Sequence, residues 1–495
     1  MAISFSKIPS GIRVPLFYAE VDASMANLGS NNLRTLLIGQ MTSEGVAKAG
    51  EPVLVSGDSQ GKELFGRGSM LARMNTAYRS NDTVGEVWAI PVAEPEGHAA
   101  SGTLTVTGTA TMAGTIYLYI GADRVTASVA IDDAAATIAK AIATAITAKP
   151  DLPVTAQATE GVVTLNAKQK GVCGNDIRVV LNLQGYAAGE ALPEGVNVVV
   201  ADIKGGTGVV DLEPVIEAMG DEAYDFIALP WSDVNSLDAF TQVMNDTSGR
   251  WSPTSQIYGH VYAAKRGTAQ DLISLGGQLN DQHLTVVGIE TETASLECEV
   301  LGAFVAQSAA KIQIDPARPL QTLELIGITA APVGKRFNLS EKQTLLTNGI
   351  ATCYVEGGYL RIERAVTTYQ VNAFGDADVS YLDSETLHTL AYIIRYLKSV
   401  ITSKYPRHKL ASDGTKYGPG QAVVTPSVIR GELIAAYQRL ETAAIVENTD
   451  LFKANLIVER NADDPNRIDV LLPPDLVNGL RIFAMLAQFR LQYAA

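Results

Sequence analysis

From residue 224 to residue 310 the chain alternates short apolar runs with stretches of helical period. Residues 224–229, 257–263 and 283–289 read as strands, and residues 236–244, 268–279 and 295–310 read as helices. A strand joined to the next by a helix has to cross over and run in the same direction. The alternation therefore predicts a mostly parallel sheet covered by helices, an α/β fold. Strands of such a sheet are buried on both faces and need continuous apolar composition, which LRTLLIG at 33–39 supplies. Residues 51–57 and 84–92 read as further strands, and 60–79 as one helix with Leu64, Leu71 and Met74 on its apolar face. Pro91, Pro95 and Gly97 mark a boundary.

Between Gly97 and Gly206 the texture changes to Thr, Val, Ala and Gly. Alternating runs at 102–106, 114–120 and 125–131 precede an alanine-rich helix in which Ile138, Ile142, Ala145 and Ile146 recur at helical spacing, with Asp132 or Asp133 as its cap. Pro150 and Pro153 end the helix, and strands at 154–158, 162–167 and 177–183 follow. This is a small α+β domain inserted into the larger one, and its glycine-rich edges mark it as an outward-facing decoration that could be excised.

Ser340 with Gln343 forms an S-x-x-Q capping pattern for a helix that Asn348-Gly349 ends. Residues 350–355 then read as a strand, Glu356-Gly357-Gly358 as a turn and 359–369 as the returning strand. A long helix capped by Asp383 or Ser384 runs to Lys404, another spans 427–447, and 456–459 and 468–472 pair around a polar turn. An amphipathic segment, 476–491, follows Pro473-Pro474. At the other end, residues 1–29 hold Pro9, Gly11 and Pro15, which forbid a helix, and Ile12, Val14, Leu16 and Tyr18 alternate as in a strand.

A net charge of −15 argues against unspecific binding to nucleic acid, which requires clustered Lys and Arg. Cys173, Cys298 and Cys353 are odd in number and widely spaced, which excludes a disulfide framework or a zinc motif. No secretory signal is visible at the N-terminus, and no run of 18 apolar residues could span a membrane. Gly57-Asp58-Ser59-Gln60-Gly61 fits the G-x-S-x-G nucleophile elbow, and His260, His283, His388 and His408 follow it in the order a hydrolase triad would need. No oxyanion segment accompanies it, so a serine hydrolase is the distant alternative. Gly205-Gly206-Thr207-Gly208 lacks the GK[ST] of a phosphate loop and reads as a linker turn. Asp463, Asp464 and Asp469 sit beside Pro465, Asn466 and Arg467 in what reads as a solvated turn rather than a metal site. No enzyme activity, cofactor or metal is expected.

The segment TNGIATCYVEGGYLRIERAVTTYQ, together with 451–491 and FGRGSMLARM at 65–74, resembles the contractile tail sheath proteins of bacteriophages, above all those of the Mu type. That resemblance implies a structural subunit that polymerises helically around a tail tube and contracts to drive the tube through the host envelope. The sheath of a phage-derived bacteriocin or injection machine is the alternative. It implies a subtilisin-like topology for the central domain and a layout of 1–30 as an N-terminal arm, 31–96 and 207–338 as the central α/β domain, 97–206 as the insertion, 339–480 as a tube-facing C-terminal α+β domain, and 481–495 as a C-terminal arm. Expected partners are identical subunits, the tail tube protein, and baseplate and terminator proteins, in the virion tail after assembly in the host cytoplasm. Nucleic acid and membrane insertion are not expected. The linking arms would carry Ile12, Val14, Leu16 and Tyr18 at one end and Arg481, Phe483, Phe489 and Leu491 at the other. The tube-facing side would present Arg395, Lys398, Lys404, Arg407 and Lys409, a basic island in an acidic chain.

Overall fold

The computed structural model describes residues 33–491, so the N-terminal arm with Ile12, Val14, Leu16 and Tyr18 lies outside the described residues. The chain forms two compact units, one of residues 33–389 with 479–491 and one of residues 390–478.

The larger unit opens with β1 (Arg34–Gln40), β2 (Val53–Leu54), α1 (Asp58–Phe65), α2 (Met70–Asn81) and β3 (Glu86–Val92). The single helix expected over 60–79 is thus two. Gly66 and Gly68 take φ of +83° and +80° between them, and a side chain at Gly66 would meet the Thr42 hydroxyl. Ser69 then restarts the helix by accepting from the Ala72 amide at 3.1 Å.

The insertion holds β4 (Ala99–Gly108), β5 (Gly114–Ile120), β6 (Asp123–Val129), α3 (Ala135–Thr147), β7 (Val154–Thr159), β8 (Val162–Lys170), β9 (Val179–Leu181) and β10 (Val196–Lys204). They form a four-stranded sheet of order β10-β4-β8-β7 and a three-stranded one of order β6-β5-β9. β10 went unread in the sequence, although Val196, Val198 and Val200 alternate as a strand should. Entry and exit cross at Gly97 and Gly208: a side chain on either would lie within 2.2 Å of a carbonyl oxygen of the opposing strand. Only glycine fits there.

After the insertion come α4 (Glu213–Met219), β11 (Phe226–Ala228), α5 (Val234–Met244), β12 (His260–Gly267), α6 (Ala269–Gly276), β13 (Leu284–Glu290), α7 (Glu297–Ile312), α8 (Leu339–Thr347), β14 (Ile350–Glu356) and β15 (Tyr359–Arg364). The expected alternation appears as an eight-stranded sheet of order β15-β14-β13-β12-β11-β1-β3-β2, in which the strands from β3 across to β14 pair in parallel. Successive side chains feed opposite faces. Leu37, Phe226, Tyr262 and Val287 enter one core, and Leu36, Ile227, Val261 and Val286 enter the other. The first of these cores runs without a break into the insertion, taking in Leu104, Ile116 and Leu165.

Two local expectations shift by a few residues. The cap of α8 is Asn338, not Ser340, with Glu341 completing the box (Glu341 amide to Asn338 Oδ1, 3.0 Å). β15 stops at Arg364 because the chain beyond it bonds elsewhere: Thr368 pairs its amide with the Leu284 carbonyl at 2.8 Å.

Helix α9 (Ser384–Lys404) begins in the larger unit and continues in the smaller one, which adds β16 (Lys409–Leu410), β17 (Val423–Val424), α10 (Pro426–Thr442), α11 (Thr449–Asn455), β18 (Ile457–Arg460) and β19 (Ile468–Leu471). Tyr437 and Phe452 stack at 3.7 Å between α10 and α11, and the Tyr437 hydroxyl donates to the Glu447 carbonyl at 2.7 Å.

Helix α7 is buried almost all round and lies against α2 at Gly302, where an added methyl would sit 2.5 Å from the Met74 carbonyl oxygen. Gly302→Ala should therefore lower stability by about 1–3 kcal/mol through overpacking. Gly431→Ala, in α10 with nothing within 4 Å of the new methyl, should raise it by about 0.5–1 kcal/mol. Thermal unfolding of the two variants side by side checks both signs, and equal shifts would contradict the helix contact.

Candidate functional site

The C-terminal segment has two parts. Its base is fastened. In the smaller unit the Glu447 amide donates to the Asp475 carbonyl at 2.9 Å and the Val477 amide to the Ile445 carbonyl at 3.3 Å. In the larger unit Gln321 Nε2 donates to the Leu480 carbonyl at 3.1 Å. Arg481 pairs with Glu385 at 3.0 Å and with Asp383 at 3.3 Å, and its side chain is only 16% exposed. Arg481 is therefore an anchor rather than part of a free arm.

Past Arg481 the character reverses. Ile482, Phe483, Met485, Leu486, Phe489 and Leu491 are between 76% and 96% exposed. Residues 482–490 have neither helix nor strand, and among the described residues 482–491 make no hydrogen bond. The amphipathic pattern read over 476–491 is not realised within one chain. An apolar stretch with its amides and carbonyls unpaired is what a strand looks like before its partner arrives.

The basic island is dispersed by the fold. Lys404 is committed to Glu432 on α10 at 2.5 Å, where the Tyr405 hydroxyl also donates at 3.3 Å. Arg395 and Lys398 lie on α9, and both are already engaged. Arg407, His408 and Lys409 follow the helix in an exposed stretch, with Lys409 Nζ 3.4 Å from Gln421 Oε1. Of the five basic residues, Arg407 and Lys409 are the ones left available to an outside partner.

The elbow-like pattern does not build an elbow. Gly57 is extended, and Ser59 is the second residue of α1 rather than the tip of a strained turn. Gly61 faces the Asn75 amide, and no hydrogen bond joins Ser59 to a histidine among the described residues. The histidines are occupied elsewhere. His260 Nε2 meets the Thr285 hydroxyl at 2.8 Å, and burial holds its pKa well below the usual range. His388 Nε2 meets the Tyr262 hydroxyl at 3.0 Å while its ring stacks on Phe226. Burial disfavours a charged His283, but hydrogen bonds to Asp246 and Asp281 outweigh it and raise its pKa. His408 belongs to the smaller unit.

The three thiols are free, and burial pushes all of them up, Cys173 to about 12. At the polar turn, Asn461 Oδ1 accepts from the Asp463 and Asp464 amides at 2.9 and 2.8 Å, and Asp469 binds Arg467 at 2.5 Å. The Asp464 carboxylate accepts from the Asn466 amide at 2.9 Å, so Asp464 and Asp469 serve the turn and its neighbouring arginine. The Gly205–Gly208 stretch pairs with the entry to the insertion, the Thr207 amide donating to the His98 carbonyl at 3.0 Å.

The described residues thus offer a fastened but unpaired apolar segment, an exposed basic loop and no hydrogen-bonded serine–histidine pair. Comparison with known proteins gives the context. Residues 95–197 match the phage tail sheath protein beta-sandwich domain, 205–368 its central domain and 376–490 the phage tail sheath C-terminal domain. The chain is 40% identical to the Mu-like prophage FluMu tail sheath protein of Haemophilus influenzae, over 99% of this chain and 100% of that one. The crystal structure of the sheath tail protein from Desulfitobacterium hafniense shares the fold at a TM-score of 0.50 and 12% identity, covering 95% of this chain and 97% of that one. All of these are tail sheath proteins. The chain belongs to the phage tail sheath family and is a tail sheath subunit of the Mu type.

Proposed function

We propose that this subunit polymerises helically around the tail tube in the virion tail, linked to its neighbours by its two terminal arms, and that the polymer shortens to drive the tube through the host envelope. The observation that carries this reading is the unpaired apolar segment past Arg481. Its occupant is the sheet edge of a second copy, reached by strand addition. Residues 1–30 serve as the matching arm, with Ile12, Val14, Leu16 and Tyr18 on its strand. The subunits assemble in the host cytoplasm, and baseplate and terminator proteins bound the polymer. A subtilisin-like topology of the central domain, an outward-facing insertion at 97–206 and a tube-facing C-terminal domain at 339–480 complete the layout.

The energetics suit a machine that must rearrange. About five ladder hydrogen bonds at about 1 kcal/mol net give on the order of 5 kcal/mol per arm. After association costs that is about millimolar affinity or weaker, so one arm cannot hold a dimer. Many arms engaged together hold a tube, because each later contact forms at the high effective concentration set by the others. Arg481, pinned by Asp383 and Glu385, fixes where the arm leaves its own subunit.

Deletion of residues 482–495, which spares that anchor, should leave a folded monomer by circular dichroism and abolish tubes in electron micrographs. Normal tubes from the truncated protein would refute the arm reading.

The tube-facing contact falls to Arg407 and Lys409, with Arg395 and Lys398 beside them on α9 and Lys404 held back by Glu432. Exposed pairs are worth about 0–1 kcal/mol each and are screened by salt, which lets a sheath template on an acidic tube yet leave it on contraction. The double variant Arg407→Glu, Lys409→Glu should slow assembly on purified tubes more than tube-free polymerisation, and raised salt should mimic it. Equal losses in both assays would assign these residues to folding or to sheath–sheath contacts.

A further inference from the structure

The central sheet changes direction between β1 and β11: from β1 the order runs to β3, and from β11 to β12 and β13. In open α/β sheets the crevice outside the carboxyl ends of the strands at such a switch point is where ligands bind. A cavity of about 410 Å³ lies there, lined by Trp231 after β11, Lys265 and Arg266 at the end of β12, and Glu297 at the start of α7. Its other wall is the insertion, through Gln169 and Asp176.

Asp176 occupies the place of a ligand. Its Oδ2 accepts from the Glu297 backbone amide, in the first turn of α7, at 2.9 Å. Its Oδ1 accepts from Arg266 Nε at 2.5 Å. The guanidinium is itself positioned by the carbonyls of Thr293 and Ser295, and both members of the pair are mostly buried, at 10% and 17% exposure. A helix amino terminus converging with an oriented guanidinium is a site for a carboxylate or phosphate. Burial and the neighbouring Asp176 push the Glu297 carboxyl upward, against the Arg266 amide that donates to its Oε1 at 2.7 Å, so of the two carboxylates Asp176 is the one that sits in the anion's place. Gln169 fits the same picture: it is 7% exposed, its Oε1 accepts from the Met70 amide at 2.8 Å, and its Nε2 is buried without a partner at the cavity wall.

We propose that the crevice is a carboxylate-binding site whose resident ligand is Asp176, so that the insertion is docked on the central sheet through the position where folds of this topology hold an anion. The insertion is then latched to the core, and the contacts of Arg73 with Asp123 (2.6 Å), Arg67 with Asp151 (2.7 Å) and Arg178 with Glu292 (2.5 Å) surround the latch.

The test vacates the site in the full-length subunit and offers small carboxylates. Asp176→Ala should melt several degrees lower than the parent and lose amide-exchange protection across residues 98–206, with residues 284–290 unchanged. Sodium formate, compared with sodium chloride at equal ionic strength, should restore both in the variant with a saturable dose dependence and leave the parent protein unmoved. Formate acting equally on parent and variant, or wild-type exchange across the insertion in Asp176→Ala, overturns the proposal. Should Asp176→Ala fail to fold, the near-isosteric Asp176→Asn provides the same reading. Faster exchange confined to the insertion supports the latch, and unchanged exchange refutes it.

Discussion

A guanidinium can be buried only where carboxylates or carbonyls accept its hydrogen bonds, and two such groups, Arg73 and Arg266, tie the insertion to the rest of the larger unit. Arg73 on α2 reaches Glu299 on α7 and Asp123 of the insertion, with its side chain 10% exposed. Arg266 on β12 reaches Asp176 of the insertion and the carbonyls ahead of α7. One links a covering helix and the other a strand of the sheet to the inserted domain, so the relation between insertion and core is set by buried charge as well as by apolar area. Removing one partner of a buried pair commonly costs about 3–5 kcal/mol, because the charge left behind is uncompensated.

That constraint revises the idea of an excisable decoration. From the sequence, glycine-rich edges and a change of composition make residues 97–206 look self-contained. The structure shows why the edges are glycines: entry and exit cross at Gly97 and Gly208 too closely for any side chain. It also shows Leu104, Ile116 and Leu165 in the same core as Leu37 and Phe304. Cutting at the glycines would expose that core and take Asp123 and the Asp151 carbonyl from Arg73 and Asp176 from Arg266. Local composition announces a topological insertion, but it does not report whether the two parts share an interior.

The same distinction explains what else was legible. The parallel sheet could be read because strands buried on both faces must be apolar throughout, and LRTLLIG or LTVVGIE cannot serve another purpose as well. The break between α1 and α2 was visible as FGRGS yet was passed over, since helical period continues on either side of it. The reason for the break, a close approach of Gly66 to Thr42, is tertiary. β10 is hard to read from VNVVVADIK because the exposed Val199 interrupts the alternation that Val196 and Val198 begin. Among the proposed contact residues, Phe483, Phe489 and Leu491 are exposed. Arg481 and Lys404 are spent on Glu385 and Glu432, partners too distant in sequence for spacing to reveal.

The architecture also accounts for the absence of chemistry at a place where this fold class so often performs it. A crevice at a switch point brings together helix amino termini, strand ends and loops, and in an enzyme it must stay open to substrate. Here Asp176 fills the anion position, Glu297 beside it accepts from the Arg266 amide, and the histidines that could have acted as bases are committed to Thr285, Tyr262 and the Asp246–Asp281 pair. Asp176, Arg266 and these histidines are thus spent on holding one element against another. On the proposed linkage of subunits through their terminal segments, that suits a mechanical part, because force passed from neighbour to neighbour must not pull the insertion from the sheet. Weak contacts between subunits and strong buried pairs within each one divide the problem. The lattice can rearrange at contacts worth a few kcal/mol each, while the parts it moves keep their shape.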